Sequence, residues 1–180
     1  MKRWILLAML VFGALFAVAA PAAQPDAKAL ADSTYITEGS LKPDRIVYVF
    51  IDTECPYCHR LRAAMQPYLG AGSRVQVRYV LVAVLNEDSE PHAQAILMRK
   101  DTARALAEHE NAFDKGGIAK PAALRADLSA KLEGNQALMS AFSLRGTPSI
   151  VYADPDGKLV KLQGTPDAEA LAALMTPPKR

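Results

Sequence analysis

Short β-rich runs alternate with longer stretches of helical spacing along this chain. Ile46-Val47-Tyr48-Val49-Phe50-Ile51 is an unbroken β-branched and aromatic run, the pattern of a strand covered on both faces. Leu61, Ala64, Met65, Tyr68 and Leu69 then recur at helical spacing until Gly70 and Gly72 stop them. A second β-rich run spans Val75 to Val84. Strand, helix and strand in that order predict a parallel crossover. From Pro91 to Leu144 the pattern turns helical. Ile96, Ala103 and Leu106 mark one segment and Gly116-Gly117 a break. Leu124, Leu128 and Leu132 mark a second segment ending at Gly134, and Leu138, Ala141 and Phe142 a third. Ser149 to Tyr152 reads as a strand, Asp154-Pro155-Asp156-Gly157 as a turn, and Lys158 to Leu162 as its hairpin partner. Leu171, Leu174 and Met175 place a closing helix. The result is one α/β domain over residues 45–176, ordered βαβ, helical insert, ββα.

The first residues follow a different grammar. Lys2 and Arg3 precede an uncharged apolar run from Trp4 to Ala19, and Ala17, Ala19, Ala20, Ala22 and Ala23 offer small-residue cleavage sites. Residues 1–23 therefore read as a secretory signal peptide, with an uncleaved anchor as the alternative, and the chain is expected to be exported. Residues 24–44, polar and Pro-containing, read as a linker or lead-in. Without Lys2 and Arg3, 19 basic residues face 19 acidic ones. Such a neutral chain gives no electrostatic case for nucleic acid or anionic membrane, so the expected partner is a protein or a small molecule.

The two cysteines, Cys55 and Cys58, stand only two residues apart. A disulfide that closes so small a loop removes little entropy from the unfolded chain, so the pair reads as a tool rather than a staple. Cys55 falls between a buried strand and an amphipathic helix, an N-cap or first-turn position. There, unpaired backbone N–H groups and the positive end of the helix dipole favour a thiolate. Pro56 suits the first helical position. Cys58 lies one turn on, within reach of Cys55, so attack by Cys55 on a disulfide would be resolved by Cys58. Among the neighbours Glu54, Pro56, Tyr57 and His59, Glu54 would oppose thiolate formation and a charged His59 would favour it. Gly146-Thr147-Pro148-Ser149 sets a proline at the entrance of a strand, best explained as a cis bond. Thr147 and Pro148 could pair there with an extended substrate.

Other chemistries compete for these residues. With His59, the string CPYCH matches c-type haem attachment, and six methionines leave an axial ligand open. A zinc site would need two further ligands, and His59, His92 and His109, the only histidines, show no ligand-pair spacing. His92 and His109 read as solvated helix residues, and His59 as lying on the exposed face of the first turn. Neither a metal nor a cofactor is expected. A passive binding module that uses the groove at Pro148 is a further alternative.

Residues from about 30 to 175 resemble the catalytic domain of the periplasmic DsbG/DsbC family, nearest its DsbG members. The resemblance is carried by Leu30 to Gly39 ending in ITEG, by VYVFIDTECPYCH, RYVLVAVL and AILMRKD, and by GTPSI. It implies a thioredoxin-like fold with a helical insertion, with Cys55 as exposed nucleophile, Cys58 as resolving thiol, and Thr147 and Pro148 lining the substrate groove. It also implies exported protein substrates with disulfides or oxidised cysteines, and a membrane thiol reductase of the DsbD type as electron donor. A DsbA-like oxidant is the rival within the same chemistry. Family members carry an N-terminal dimerisation domain, and the roughly twenty residues ahead of the first strand are too few for one. A monomer, or a dimer built differently, is therefore expected, and the expected activity is to reduce or isomerise disulfides or to reduce sulfenylated cysteines, although isomerisation in the family leans on the dimer. Where thioredoxin holds a buried aspartate six residues before its first cysteine, this chain has Val49.

Overall fold

The computed structural model describes residues 25–177. In chain order the elements are α1 (Ala27–Ala31), β1 (Tyr35–Gly39), β2 (Arg45–Asp52), α2 (Pro56–Met65), β3 (Val75–Val82), α3 (Ser89–Leu97), α4 (Thr102–Asn111), α5 (Ala126–Ala141), β4 (Ser149–Ala153), β5 (Leu159–Gln163) and α6 (Ala168–Met175). The strands form one sheet in the order β1-β3-β2-β4-β5. β2 and β3 run parallel, in register from Arg45 beside Val75 to Asp52 beside Val82. β1 lies antiparallel on β3, β4 on β2, and β5 on β4.

The unbroken apolar run of β2 has its reason in two cores. Successive strand residues point to opposite faces. Val47, Val49 and Ile51 face one side, packed with Leu61 and Met65 of α2, Ile96 of α3, Leu106 of α4 and Leu171 of α6. Tyr48 and Phe50 face the other, with Leu30 of α1 and with Met139 and Phe142 at the end of α5. Each such side chain contributes about 2 kcal/mol by leaving water, so a polar substitution on either face of β2 would be costly. With both faces covered, the end of β2 becomes a rigid platform for the cysteine pair.

Several expectations need correction. Of the expected linker 24–44, the described residues 25–44 are structured: α1 is capped by Asp26, whose side chain accepts the Ala29 amide, and β1 is an edge strand of the sheet. Asn135 of α5 ties this segment down by bonding both the amide and the carbonyl of Thr34. The segment marked by Ile96, Ala103 and Leu106 is two helices, α3 and α4. The two segments around Gly134 are one helix, α5, which runs through the glycine and leaves Leu124 exposed outside it. The expected signal peptide lies outside the described residues. Among the described residues no helix is long and apolar enough to cross a membrane.

Candidate active site

Cys55 closes the turn from β2 into α2 and is the N-cap of that helix, extended at φ −89° and ψ 111°, with Pro56 next. Its amide donates to the Asp52 carbonyl at 3.1 Å and its carbonyl accepts the His59 amide at 3.0 Å. Its Sγ accepts the Cys58 amide at 3.2 Å. Sulfur here does what a serine oxygen does at an ordinary N-cap. An anion at this place is stabilised both by that amide and by the helix dipole.

The Thr147–Pro148 peptide is cis, and the Thr147 carbonyl lies 3.5 Å from Cys55 Sγ. The sequence-predicted residues Cys55, Cys58, Thr147 and Pro148 are thus brought together from the β2–α2 turn and the approach to β4. Cys55 is 3% exposed, so the nucleophile is more recessed than expected, and Cys58, at 1%, belongs to the apolar core. Cys58 packs into the apolar core between β2 and α2, which leaves its sulfur no open face for a haem vinyl group and argues against attachment through CPYCH.

The two thiols are driven in opposite directions. The hydrogen bond from the Cys58 thiol, with help from Thr147 and from the backbone amides of Cys58 and Tyr57, lowers the Cys55 thiol to about 6 against the opposing effect of burial. Burial, together with the bond it gives to Cys55, pushes Cys58 far above the ordinary thiol range. One sulfur is an anion near neutral pH and the other keeps its proton.

The neighbours divide. Tyr57 is exposed, with the Arg60 guanidinium 4.5 Å over its ring. His59 is half-buried: its Nδ1 lies 2.6 Å from Glu110 Oε2 and its ring stacks on Phe113 at 4.6 Å. Glu54 Oε1 lies 2.6 Å from His92 Nδ1. His92 and His109 are not solvated: they are 3% and 1% exposed, their rings 5.0 Å apart. His109 Nε2 donates to the Thr53 carbonyl at 3.1 Å and its Nδ1 accepts the Ile118 amide at 3.4 Å. All three histidines therefore join the helical insert to the turn that carries the cysteines. Ligand atoms of Glu54, His92 and His109 lie within 4.8 Å of one another. Both His109 nitrogens are already engaged, so a cation would have to displace those bonds.

Asp52 was missed by sequence reasoning. Buried at the end of β2, its carboxylate accepts the amides of Glu54 at 2.9 Å, Val84 at 2.7 Å and Leu85 at 3.1 Å. It thereby pins the cysteine turn to the loop after β3. The available signal was an acid ending an otherwise apolar strand.

A family model for the thioredoxin-like domain matches residues 35–176. The chain belongs to the thioredoxin-like domain family. The match begins at the first residue of β1, so this thioredoxin-like domain includes the edge strand that the sequence left in the lead-in. The resemblance to the DsbG/DsbC family holds as well. The thiol:disulfide interchange protein DsbG of Pseudomonas aeruginosa is 35% identical over 160 residues, covering 89% of this chain and 62% of the relative. DsbG of Escherichia coli is 31% identical over 156 residues, covering 87% and 62%. The chain thus spans under two thirds of the length of these curated relatives. Among solved structures, the catalytic domain of Proteus mirabilis ScsC superposes with a TM-score of 0.67 at 22% identity, covering 84% of this chain and 97% of that one. A periplasmic thioredoxin-like protein from Salmonella enterica gives 0.69 at 21% identity, covering 85% and 97%. At such identities these structures speak for the thioredoxin-like fold alone.

Proposed function

We propose that this chain is a thiol–disulfide oxidoreductase acting on protein cysteines. The observation that carries the reading is the Cys55 sulfur at the N-cap of α2, lowered to about 6 and held 3.2 Å from the Cys58 amide. The Cys55 thiolate attacks one sulfur of a substrate disulfide, the S–S bond breaks, and the departing thiolate takes a proton from water. In the mixed disulfide Cys55 no longer carries charge or accepts the Cys58 thiol, which removes two of the causes that hold the proton on Cys58. Cys58 then attacks Cys55, expels the second substrate thiolate, and leaves a Cys55–Cys58 disulfide, with the substrate reduced by two electrons. With a sulfenic acid, the first attack expels hydroxide, which becomes water. The Thr147 carbonyl beside Cys55 supports a role for Thr147 and Pro148 in aligning an extended substrate.

Cys58→Ala tests this directly. The variant should accumulate mixed disulfides on Cys55, and the unaltered chain should reduce a protein disulfide when supplied with a dithiol. If no partner is trapped and no disulfide is reduced, the passive binding reading replaces the enzyme.

The finer reading is export to the periplasm by residues 1–23 and work there as a monomer on misoxidised proteins, with electrons from a membrane reductase of the DsbD type. The names of the DsbG relatives, thiol:disulfide interchange proteins, support the disulfide chemistry of that reading. One observation favours the reverse direction: a thiolate as stable as Cys55 is a good leaving group, which makes the dithiol the preferred state and the disulfide an oxidant. Thiol trapping in cells separates the two. A mostly reduced pair supports the reductase, and a mostly oxidised pair the DsbA-like oxidant.

A further inference from the structure

Building on the redox reading of Cys55, we propose that His92 is a positioning residue for that thiolate, acting through the Glu54 carboxylate it holds. Glu54 immediately precedes Cys55, so the two charges lie within roughly 10 Å of one another. An ionised carboxylate that close opposes ionisation of the thiol. The helical insert answers it with a buried imidazole, His92 Nδ1, 2.6 Å from Glu54 Oε1. The bond fixes the carboxylate and sets an imidazole N–H against its charge, so less of that charge reaches the sulfur.

The surroundings leave this task to His92. On one side stands His109 of α4, its ring 5.0 Å away. His109 donates to Thr53 and accepts from Ile118, which satisfies both nitrogens with the ring neutral, and Gly117 packs closely against it. His109 is therefore an uncharged wall that also anchors the backbone two residues before Cys55. On the other side stand Asp88, just ahead of α3, and Lys120, which are paired with each other. The hydrogen bond from Lys120 holds the Asp88 carboxyl below its usual range, with a smaller contribution from His92. The Asp88–Lys120 pair is close to neutral; Lys120 also feels the Glu54 carboxylate through space, but the group hydrogen-bonded to Glu54 is His92. The insert thus reaches the nucleophile through one charged contact and one neutral one.

The test is the pH dependence of thiolate absorbance near 240 nm in the reduced protein, for the unaltered chain, His92→Gln, Glu54→Gln and the double variant. A unit charge at about 10 Å, partly screened, moves a midpoint by about half a unit. With His92 shielding about half of that charge, His92→Gln should raise the Cys55 midpoint by about a quarter of a unit. Glu54→Gln should lower it by a similar amount, and the double variant should match Glu54→Gln alone. Glu54 is only partly buried, its side chain 21% exposed, so Glu54→Gln reports the sign even if His92→Gln fails to fold. A merely structural His92 would raise the midpoint equally in both backgrounds, and that result overturns the proposal, as does a Glu54→Gln midpoint that stays or rises. The readout needs no substrate. A chain that shows these shifts yet reduces no disulfide would refute the redox function and leave the Glu54–His92 coupling standing.

Discussion

Replacing Cys58 by alanine removes the largest of the influences that lower the Cys55 thiol. The Cys58 amide stays in place at 3.2 Å, as does the helix dipole, so the sulfur keeps part of its stabilisation. A hydrogen bond to a charged acceptor is worth roughly 1.5–3 kcal/mol, and 1.36 kcal/mol corresponds to about one pH unit. The Cys55 midpoint should therefore climb from about 6 by about one to two units, still short of a free thiol. Cys58→Ser keeps a hydroxyl donor in the same place and should stay within about half a unit of the unaltered protein. The assay is the rate of iodoacetamide alkylation against pH, read on the Cys55 peptide by mass spectrometry. An alanine variant still titrating near 6 would show that the amide and the dipole suffice, and would refute the assignment of the Cys58 thiol as the principal donor.

Other consequences follow from the same geometry. Because the folded Cys55 thiol lies below its unfolded value, its contribution to the stability of the reduced protein is full above about pH 8.5 and is lost as pH falls through about 6. Urea unfolding of the reduced protein across that range, compared with Cys55→Ser, should show the slope only where the thiol is present. Asp52→Ala leaves three backbone amides without their acceptor and should cost at least about 2 kcal/mol in denaturant unfolding. Glu38→Ala should cost about 3–5 kcal/mol, because it strands the buried Arg62 guanidinium without its carboxylate. Gly117→Ala should be worse than Gly116→Ala in thermal melts: both sites have positive φ, but only at Gly117 would a Cβ meet the His109 ring, at 2.4 Å.

What the sequence disclosed was local. The β2 run, the Cys-Pro-Tyr-Cys helix start and the Gly-Thr-Pro approach to β4 each satisfy a short-range rule, and each stands where the pattern put it. What it hid was long-range. Tyr35–Gly39 has one fully buried apolar residue, Ile36, and becomes a strand only because β3 is there to pair with it. His92 and His109 look like solvated helix residues until the folded chain brings them to Glu54 and Thr53, 38 and 56 positions away. Asp52 resembles an ordinary acid at a strand end, and its partners at Val84 and Leu85 lie across the crossover. Apolar periodicity carries no record of which polar groups meet, so the core was largely legible and the polar frame around the cysteines was not.

The most direct single measurement is alkylation of the reduced, unaltered chain as a function of pH, with the modified cysteine identified by mass. Cys55 should react with a midpoint near 6 while Cys58 stays unmodified until the protein unfolds. A Cys55 midpoint near 8.5, the value of an unperturbed thiol, or equal labelling of both cysteines in the folded protein, would contradict the account.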